Sequence, residues 1–547
     1  MDVNRRQFLT YLGAGTAALA SLATGIPALA AGETISGKTA DHLFGLENKK
    51  HTFNPKFKPI DPTTKDDVVL PQGYKYDVIA VYGDKINPAG DTFGFNADFT
   101  CFLPIDGSPD HGLLWVNHEY LGELEYYVTG YDTLNADPKD NKRTAEQIEK
   151  YLYALGGSVI EIKREGGTWK LVPDSKYGRR VSGLTKHALT GPAASLSKEV
   201  TGTFANCSGG VTLWNTILSC EENYQDVVDD CKLADNRHYG WVIEVDPFDP
   251  ASTPKKHTAL GRFSHENTAM VIAPTGQLAV YMGDDARDQY VYKYVSKGKF
   301  DPKLGKQNSK LLEEGTLYVA DFSKGKWIAL DLATNEALQK ATNSEGKPLF
   351  ASQADVVINC REAAKAVKAT PMDRPEDLEV HPIDGSVFIA LTNNSSHGNF
   401  YGQIVRLFEK DNNHAGTEFT FEIFATGGPQ SGFAAPDNLA FDSAGNLWIV
   451  TDISSSSMNS GIYKSFGNNG VFLIPTTGAN KGEAVQFASA PVGAEMTGPW
   501  FNPDETTLFL AVQHPGENLK SYDQPTSHWP KGGNSVALPG VIAVTGF

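Results

Sequence analysis

Short apolar runs recur along the chain in pairs, and each pair is joined by residues that favour a tight turn. In Glu376–Asn394, one run ends at Asp384 and Gly385, and a second apolar run follows directly. An Asp-Gly step between two apolar runs is typical of a β-hairpin. The same pattern predicts five further hairpins, at Asp98–Glu119, Asn206–Asn223, Glu266–Asp285, Asp437–Asp452 and Glu495–Glu517.

The irregular spacing of the six hairpins leaves room for outer strands and inserted loops. Radial repetition of small antiparallel sheets is the design of a β-propeller, in which the innermost strand of each blade starts at the central channel. We therefore expect an all-β, six-bladed-type β-propeller with inserted helices and loops. Two inserted helices are predicted at the rim, over Ala145–Leu155 and Glu362–Lys368.

An acidic residue or a cysteine stands near the start of every hairpin, and acidic residues also follow most of them. A turn-forming role is the ordinary explanation for any single one. As a set they would converge on the central axis, where carboxylates repel one another unless cations compensate. The pattern therefore predicts a metal cluster there, with carboxylates favouring calcium and a thiolate favouring iron or zinc. The leading residues are Asp98, Cys207, Glu266, Glu376, Asp437 and Glu495, and the trailing residues are Glu119, Glu222, Asp285, Asp452 and Glu517.

The net charge and the absence of certain motifs disfavour several classes of ligand and chemistry. The 547 residues include 65 acidic and 48 basic residues, which gives a formal net charge of −17. Because such a surface repels nucleic acid and anionic lipid, we expect neither as a dedicated partner. The sequence has no phosphate-binding loop, no dinucleotide fingerprint and no G-x-S-x-G elbow, and these absences disfavour nucleotide binding and serine-nucleophile catalysis.

The N-terminal sequence is typical of an export signal. Arg5 and Arg6 precede an apolar, Ala-rich stretch, residues 11–30, which ends in an Ala-x-Ala cleavage pattern. A twin arginine before such a stretch directs folded proteins to the twin-arginine export machinery. A permanent membrane anchor is the alternative, but Gly13, Gly15 and Pro27 interrupt the stretch. We expect a signal over residues 1–30, an N-terminal extension over 31–70, a single propeller domain over 71–547 and a periplasmic or secreted product without a membrane anchor.

The sequence does not determine whether the five cysteines form disulfides or bind metal. Export to an oxidising compartment would favour disulfides, but an odd number leaves at least one thiol for another purpose. If Cys207 is a metal ligand, the other four cysteines allow three pairings that the sequence does not rank. These four are Cys101, Cys220, Cys231 and Cys360.

Several motifs, in order from about residue 70 to the C-terminus, resemble those of the PhoX-type bacterial alkaline phosphatases. The resemblance also covers the twin-arginine signal. The matching segments are Gly94–Thr100, Val116–Tyr120, Thr190–Ala193, Gly202–Gly210, Ser219–Asn223, Gly261–Glu266, Tyr281–Asp285, Met372–Glu376, Pro436–Leu439, Glu495–Gly498 and Gln513–Glu517.

This resemblance implies an exported enzyme that hydrolyses small phosphate monoesters. It implies a six-bladed-type propeller around a cofactor of two ferric ions (Fe3+) and three calcium ions (Ca2+) with a bridging oxo group. By motif match, Cys207 resembles the iron-bound thiolate, and Arg374 resembles the arginine that contacts the substrate phosphate. The further metal ligands implied by motif match are Glu222, Glu266 and Glu376.

The hairpin pattern adds Glu119, Asp437 and Glu495 to the candidate ligands, whereas Asp98, Asp285, Asp452 and Glu517 are not included. Two other functions fit the sequence. One is a calcium-dependent propeller hydrolase of another class, such as a lactonase, which would need neither iron nor Cys207. The other is a non-catalytic calcium-binding propeller. A monomer is expected, because a closed propeller leaves no free sheet edge.

Overall fold

The computed structural model describes residues 55–137 and 142–547. Within these residues, six sheets form a ring, and each contains one of the six predicted hairpins as its two innermost strands. The innermost strands of consecutive sheets contact one another, and the first also contacts the last. The predicted six-bladed β-propeller is therefore confirmed.

The strands are numbered in chain order and grouped here by blade. Blade 1 contains β2 (Ala97–Pro104), β3 (His111–His118), β4 (Gly156–Glu165), β5 (Thr168–Leu171) and β6 (Arg179–Val181). Blade 2 contains β7 (Lys186–Thr190), β8 (Glu199–Thr201), β9 (Asn206–Val211), β10 (Ile217–Glu221), β11 (Val242–Val245) and β12 (Lys255–His257). Blade 3 contains β13 (Ala269–Ile272), β14 (Gln277–Gly283), β16 (Val291–Lys299), β17 (Gly315–Asp321) and β18 (Lys326–Ala329).

The second half of the ring is more regular, with four strands in each blade. Blade 4 contains β20 (Pro375–Val380), β21 (Val387–Leu391), β22 (Gln403–Glu409) and β23 (Phe419–Thr426). Blade 5 contains β24 (Pro436–Phe441), β25 (Leu447–Thr451), β26 (Gly470–Ile474) and β27 (Val485–Ser489). Blade 6 contains β28 (Glu495–Phe501), β29 (Thr507–Gln513), β30 (Gly540–Thr545) and β1 (Lys75–Val81). A separate two-stranded ladder pairs β15 (Arg287–Gln289) with β19 (Met372–Asp373).

The ring closes by pairing the two ends of the propeller. Strand β1 lies antiparallel to β30 at the outer edge of blade 6, with Lys75 opposite Thr545. The preceding residues also pack on this side of the ring, because Phe57 and Val68 lie in the apolar core between blades 5 and 6. The predicted export signal, residues 1–30, lies outside the described residues.

Six apolar clusters fill the spaces between neighbouring blades. Consecutive residues of one strand serve different clusters: Phe388 packs toward blade 5, whereas Ile389 packs toward blade 3. Side chains alternate across a strand, and both faces of each blade are covered. The sequences of the strands are therefore continuous apolar runs. This double burial explains why the hairpins were recognisable in the sequence.

The inserted helices lie close to where they were predicted. Helix α2 covers Ala145–Ala154 and begins with a capping box in which Thr144 and Gln147 satisfy each other's backbone N–H groups. The second predicted helix is observed as α6 (Cys360–Ala366), two residues earlier than expected. The helices are α1 (Tyr126–Thr129), α2, α3 (Tyr224–Asp230), α4 (Glu336–Lys340), α5 (Gln353–Ile358) and α6 (Cys360–Ala366).

The cysteines form no disulfide in the described part of the chain, where all five are free thiols. Four of them are buried, and Cys207 is partly exposed. None of the described helices combines the length and apolar character that crossing a membrane requires.

Candidate metal centre

A β-bulge turns a polar side chain toward the axis in four of the six innermost strands. In each case two residues of the innermost strand face one residue of the next strand. A bulge of this kind re-aims a side chain and bends the strand locally. The first residues of the four bulges are Asp98, Cys207, Glu376 and Asp437.

The residues beside these bulges join neighbouring blades. Asn267 accepts a hydrogen bond from the backbone N–H of Leu378 at 3.0 Å, and Asp377 accepts one from the N–H of Leu439 at 3.1 Å. Asn438 continues the series to blade 6, where it accepts the N–H of Gly498 at 2.8 Å. These buried contacts fix the relative positions of blades 3 to 6, and therefore the spacing of the acidic side chains above them.

Three overlapping groups of side chains could each hold a metal ion. Within each group the ligand atoms lie within 4.8 Å of one another. Cys207 belongs to two groups and Glu266 to two, and the Cys207 thiol lies 3.4 Å from Oε1 of Glu266. The groups therefore form one continuous centre and not three separate sites. They are Asp98–Glu119–Cys207, Cys207–Glu222–Glu266 and Glu266–Glu376–Asp437.

Six of the seven predicted metal ligands belong to these groups. The seventh, Glu495, lies beside them, where its Oε1 is 3.1 Å from Nε2 of His514 and where it contacts Asp452. Asp98 was excluded from the prediction, yet it joins Glu119 and Cys207 in the first group. The signal that could have found Asp98 was its leading position in the hairpin pattern.

Arg374 enters the centre from the residue just before β20. Its Nε and Nη2 donate to the two carboxylate oxygens of Asp285 at 2.9 and 2.8 Å. Its Nη2 also lies 2.7 Å from Glu376 and its Nη1 lies 3.3 Å from Asp452. The backbone of Arg374 has a φ of +55°, a left-handed conformation that costs a non-glycine residue about 1 kcal/mol or more and concentrates at functional sites.

The neighbouring contacts explain what holds this conformation. Asp373 is buried and accepts hydrogen bonds from His397 at 2.6 Å and from Asn399 at 3.0 Å. The backbone carbonyl of Arg374 accepts the N–H of Thr392 at 3.1 Å, and the Thr392 hydroxyl donates to Glu376 at 2.8 Å. The arginine and the first glutamate of β20 are therefore fixed by the same hairpin.

Burial and mutual repulsion raise the pKa values of most of the acids in the centre. For Asp98, burial is the largest cause, and the charges of Glu119 and Asp437 add to it. Burial also raises the pKa of Glu119 to about 7 and that of the Cys207 thiol well above its ordinary value. The same combination raises the pKa values of Glu222, Glu266, Glu376, Asp437 and Glu495.

Arg374 compensates only a part of this charge. Burial alone would raise the pKa of Asp452, but Arg374 holds it below its ordinary value. Within the described residues, no other arginine or lysine forms an ion pair with the acids of the centre. Oδ1 of Asp98 and Oε2 of Glu266 are buried and have no hydrogen-bond partner among the described groups. Unpaired buried oxygens and an excess of carboxylates are what a multi-cation cluster would neutralise, so the residues fit such a cofactor.

The centre forms the floor of a cavity of about 820 Å³. From the metal groups the cavity passes Tyr120 and Glu123 and reaches Arg143, which is held by Glu125 at 2.6 Å and by Asp230 at 3.1 Å. The volume is sufficient for a small organic substrate.

The fold and the site together define a β-propeller with a candidate multi-metal centre on its axis. A family model for alkaline phosphatase PhoX matches residues 55–516. The chain belongs to the PhoX alkaline phosphatase family and is therefore a metal-dependent phosphatase acting on phosphate esters.

Comparison with solved structures agrees with this membership. The structure of Pseudomonas fluorescens PhoX in complex with vanadate, a transition state analogue, is 34% identical with a TM-score of 0.77, and the match covers 89% of this chain and 97% of that chain. A gluconolactonase from Xanthomonas campestris is 11% identical with a TM-score of 0.33, over 89% and 98% of the two chains, a similarity too low to bear on function. A search of curated proteins gives no significant match.

Proposed function

We propose that this chain is an exported alkaline phosphatase that hydrolyses phosphate monoesters with a cofactor of two ferric and three calcium ions and a bridging oxo group. The observation that carries the proposal is the meeting of carboxylates from several blades with one cysteine thiol on the axis. We assign the cluster to Cys207, Glu222, Glu266, Glu376, Glu119, Asp437 and Glu495, and we add Asp98 because of its contacts with Glu119 and Cys207.

The donor chemistry supports a mixed cluster. Carboxylate oxygens suit hard calcium ions, whereas a thiolate beside carboxylates suits iron. Cys207 supplies the single sulfur ligand, and its raised pKa means that the thiol needs a nearby cation to lose its proton at neutral pH. Glu266 supports a shared cluster because it lies in two of the three groups.

Arg374 is the residue that we assign to the substrate phosphate. A guanidinium can donate two parallel hydrogen bonds to phosphoryl oxygens and stabilise the charge that develops on them. Asp285 holds the guanidinium plane by two hydrogen bonds, and Asp452 restricts its other end. When bound, the metal cluster supplies positive charge for the phosphate dianion and Lewis-acid activation for hydrolysis. The vanadate complex of the Pseudomonas fluorescens relative supports a phosphoryl-transfer site of this kind.

Export by the twin-arginine pathway completes the proposal. The pathway carries folded proteins, so it would allow iron to be inserted before the chain leaves the cytoplasm. The supporting observation is the pair Arg5 and Arg6 before an apolar stretch. The division into a signal (1–30), an extension (31–70) and a monomeric propeller (71–547) belongs to the same proposal.

Metal analysis of the purified, exported protein tests the proposal directly. We expect iron and calcium in a ratio of two to three, and hydrolysis of p-nitrophenyl phosphate that a chelator abolishes. Calcium without iron, together with activity only on lactones, would favour the propeller hydrolase of another class. Calcium without activity on any phosphoester would favour the non-catalytic propeller.

The ligand assignment of Cys207 has a separate test. Cys207→Ser should lose iron and the visible thiolate-to-iron absorption band, because the hydroxyl that replaces the thiol is a poor ligand for this role. Cys231→Ser is the matched control, since Cys231 is a free thiol in the apolar cluster around helix α3. Retention of iron and colour in Cys207→Ser would refute the assignment.

A further inference from the structure

A second cavity lies on the propeller axis, at the end opposite the metal centre. It has a volume of about 400 Å³ and is lined by the innermost strands of blades 1, 2, 4, 5 and 6 and by the turns that follow these strands in blades 4, 5 and 6. The belt of hydrogen bonds through Asn267, Asp377 and Asn438 separates the two cavities. We call this space the lower cavity. Its wall includes Phe99, Phe441, Trp500, Phe501, Asp377 and Glu379.

The charge balance of the lower cavity differs from that of the blades. Apart from Asp377, every buried carboxylate outside the metal centre in the described residues has a basic partner within 4 Å. Asp377 is 3% exposed and has no basic partner: its two oxygens accept hydrogen bonds from the Asn267 amide and the Leu439 N–H, which are neutral groups. The paired carboxylates are Glu125, Glu221, Glu244, Asp284, Asp321, Asp373 and Glu409.

Glu379 adds a second uncompensated carboxylate to the same wall. No side chain among the described residues donates a hydrogen bond to it or forms an ion pair with it. Burial raises its pKa to about 8, which the N–H of Val380 only partly opposes. A pair of carboxylates in a partly enclosed cavity calls for a cation from outside the chain.

The rest of the wall indicates which kind of cation fits. A calcium ion needs six to eight oxygen ligands, but both oxygens of Asp377 are already bound to Asn267 and Leu439. The cavity is also far larger than the roughly 30 Å³ that one water molecule occupies. Aromatic rings and aliphatic side chains form most of the remaining wall, and aromatic faces attract alkylammonium groups by cation–π interaction.

We propose that the lower cavity binds a small organic ammonium ion, with Glu379 as the counter-ion and Trp500 and Phe441 as the aromatic wall. Trp500 is held against Phe99 in an edge-on contact with ring centroids 6.2 Å apart, and Phe441 is held against Phe388 at 5.2 Å. Contacts with neighbouring aromatic side chains therefore hold both rings in place. The lower cavity and the cavity above the metal centre share no lining residue.

Isothermal titration of the metal-loaded protein with choline tests the proposal. We expect one choline per chain and much weaker binding of 3,3-dimethylbutan-1-ol, a neutral molecule of the same shape. Glu379→Gln should weaken choline binding about tenfold or more, and Trp500→Leu should weaken it about threefold or more. Glu505→Gln is the matched control, because Glu505 lies on the rim of the same cavity with its oxygens bound to Ser443, and its binding should stay within about twofold.

The phosphatase activity and thermal midpoint of Glu379→Gln show whether this variant remains folded, and both should match those of the unmodified protein. Binding that is equally strong for the neutral alcohol, or equally strong in Glu379→Gln, would overturn the proposal. Displacement of choline by added calcium, in a manner that depends on Glu379, would assign the cavity to a metal ion and would also overturn it.

Discussion

Buried carboxylates occupy two regions of this molecule with opposite charge balance. In the blades, outside the metal centre and the lower cavity, they are paired with basic residues: Glu221 lies 2.6 Å from Lys256 and Glu409 lies 2.8 Å from Lys293, with all four side chains fully buried. On the axis, carboxylates from all six blades and the Cys207 thiol lie around a single arginine, Arg374, which pairs with Asp285, Glu376 and Asp452. The blade pairs complete their charge balance within the chain, whereas the axis requires cations from outside. The comparison separates acids that build the fold from acids that build the centre.

The largest effect should follow from breaking a blade pair. Lys293→Met leaves Glu409 charged in an apolar core, which should lower the free energy of unfolding by about 3–5 kcal/mol. Urea denaturation of the metal-loaded protein measures this loss. The specific activity of the molecules that remain folded should not change, because Lys293 lies between blades 3 and 4 and away from the centre.

The double variant Lys293→Met/Glu409→Gln is the control for this prediction. A neutral amide can still accept hydrogen bonds from Tyr281 and Trp327, which donate to Glu409 at 2.7 and 2.9 Å. Most of the lost stability should therefore return. If the double variant were as unstable as Lys293→Met, the loss would reflect packing and not an unpaired charge.

The second-largest effect should follow from substitution of Arg374 in the metal centre. Arg374→Ala should reduce kcat/KM by about 10²–10³, or ~3 kcal/mol, because a donor to the transition state is lost. Arg374→Lys should recover only part of the activity, since an ammonium group cannot fork onto two oxygens. Metal content, measured by elemental analysis, should stay unchanged in both variants.

Arg361 offers a matched control for Arg374. It donates two hydrogen bonds to Asp284, the residue beside Asp285, but its helix lies outside the cavity. Arg361→Ala should lower stability and leave kcat/KM largely intact. Near-native kcat/KM in Arg374→Ala would remove the substrate role of this residue.

The smallest effect should be the pH dependence of stability in the metal-free protein. Without cations, the pKa of Glu119 is raised from 4.5 to about 7, so the folded chain holds a proton that the unfolded chain releases between these values. The free energy of unfolding of the chelated protein should therefore fall as the pH rises from about 4.5 to 7. Thermal midpoints at pH 5 and pH 8 measure this fall. The metal-loaded protein should not lose stability over the same range, and an equal loss in both forms would contradict the compensation argument.

The hairpins could be predicted because their signals are local. An Asp-Gly or similar turn between two apolar runs defines each hairpin, and both faces of the strands are buried, so the apolar runs are unbroken. The predicted helix start at Ala145 is observed, and a local capping box of Thr144 and Gln147 fixes it. Outer strands, and the pairing of β1 with β30, depend on contacts between distant parts of the chain and left no comparable signal.

Most of the centre was also predictable, but its geometry was not. The leading acids were visible from their repeated position, whereas the bulges that aim Asp98, Cys207, Glu376 and Asp437 depend on the count of residues in the neighbouring strand. The hydrogen bonds between Arg374 and Asp285 join blades 3 and 4, and neither segment of the sequence alone predicts them. Asp98 was not included among the predicted ligands, although the pattern contained it.

The pairing of β1 with β30 sets the timing of assembly. Strand β1 begins at Lys75 and β30 ends at Thr545, so the ring closes only after β30 has been synthesised. Blade 6 also carries Glu495, which means that a growing chain holds an incomplete set of acids until late in translation. Chains cut before Gly540 would have an open ring and an outer strand without its partner, and would be readily degraded by proteases. Completion of the set of axial acids and closure of the ring therefore both depend on blade 6.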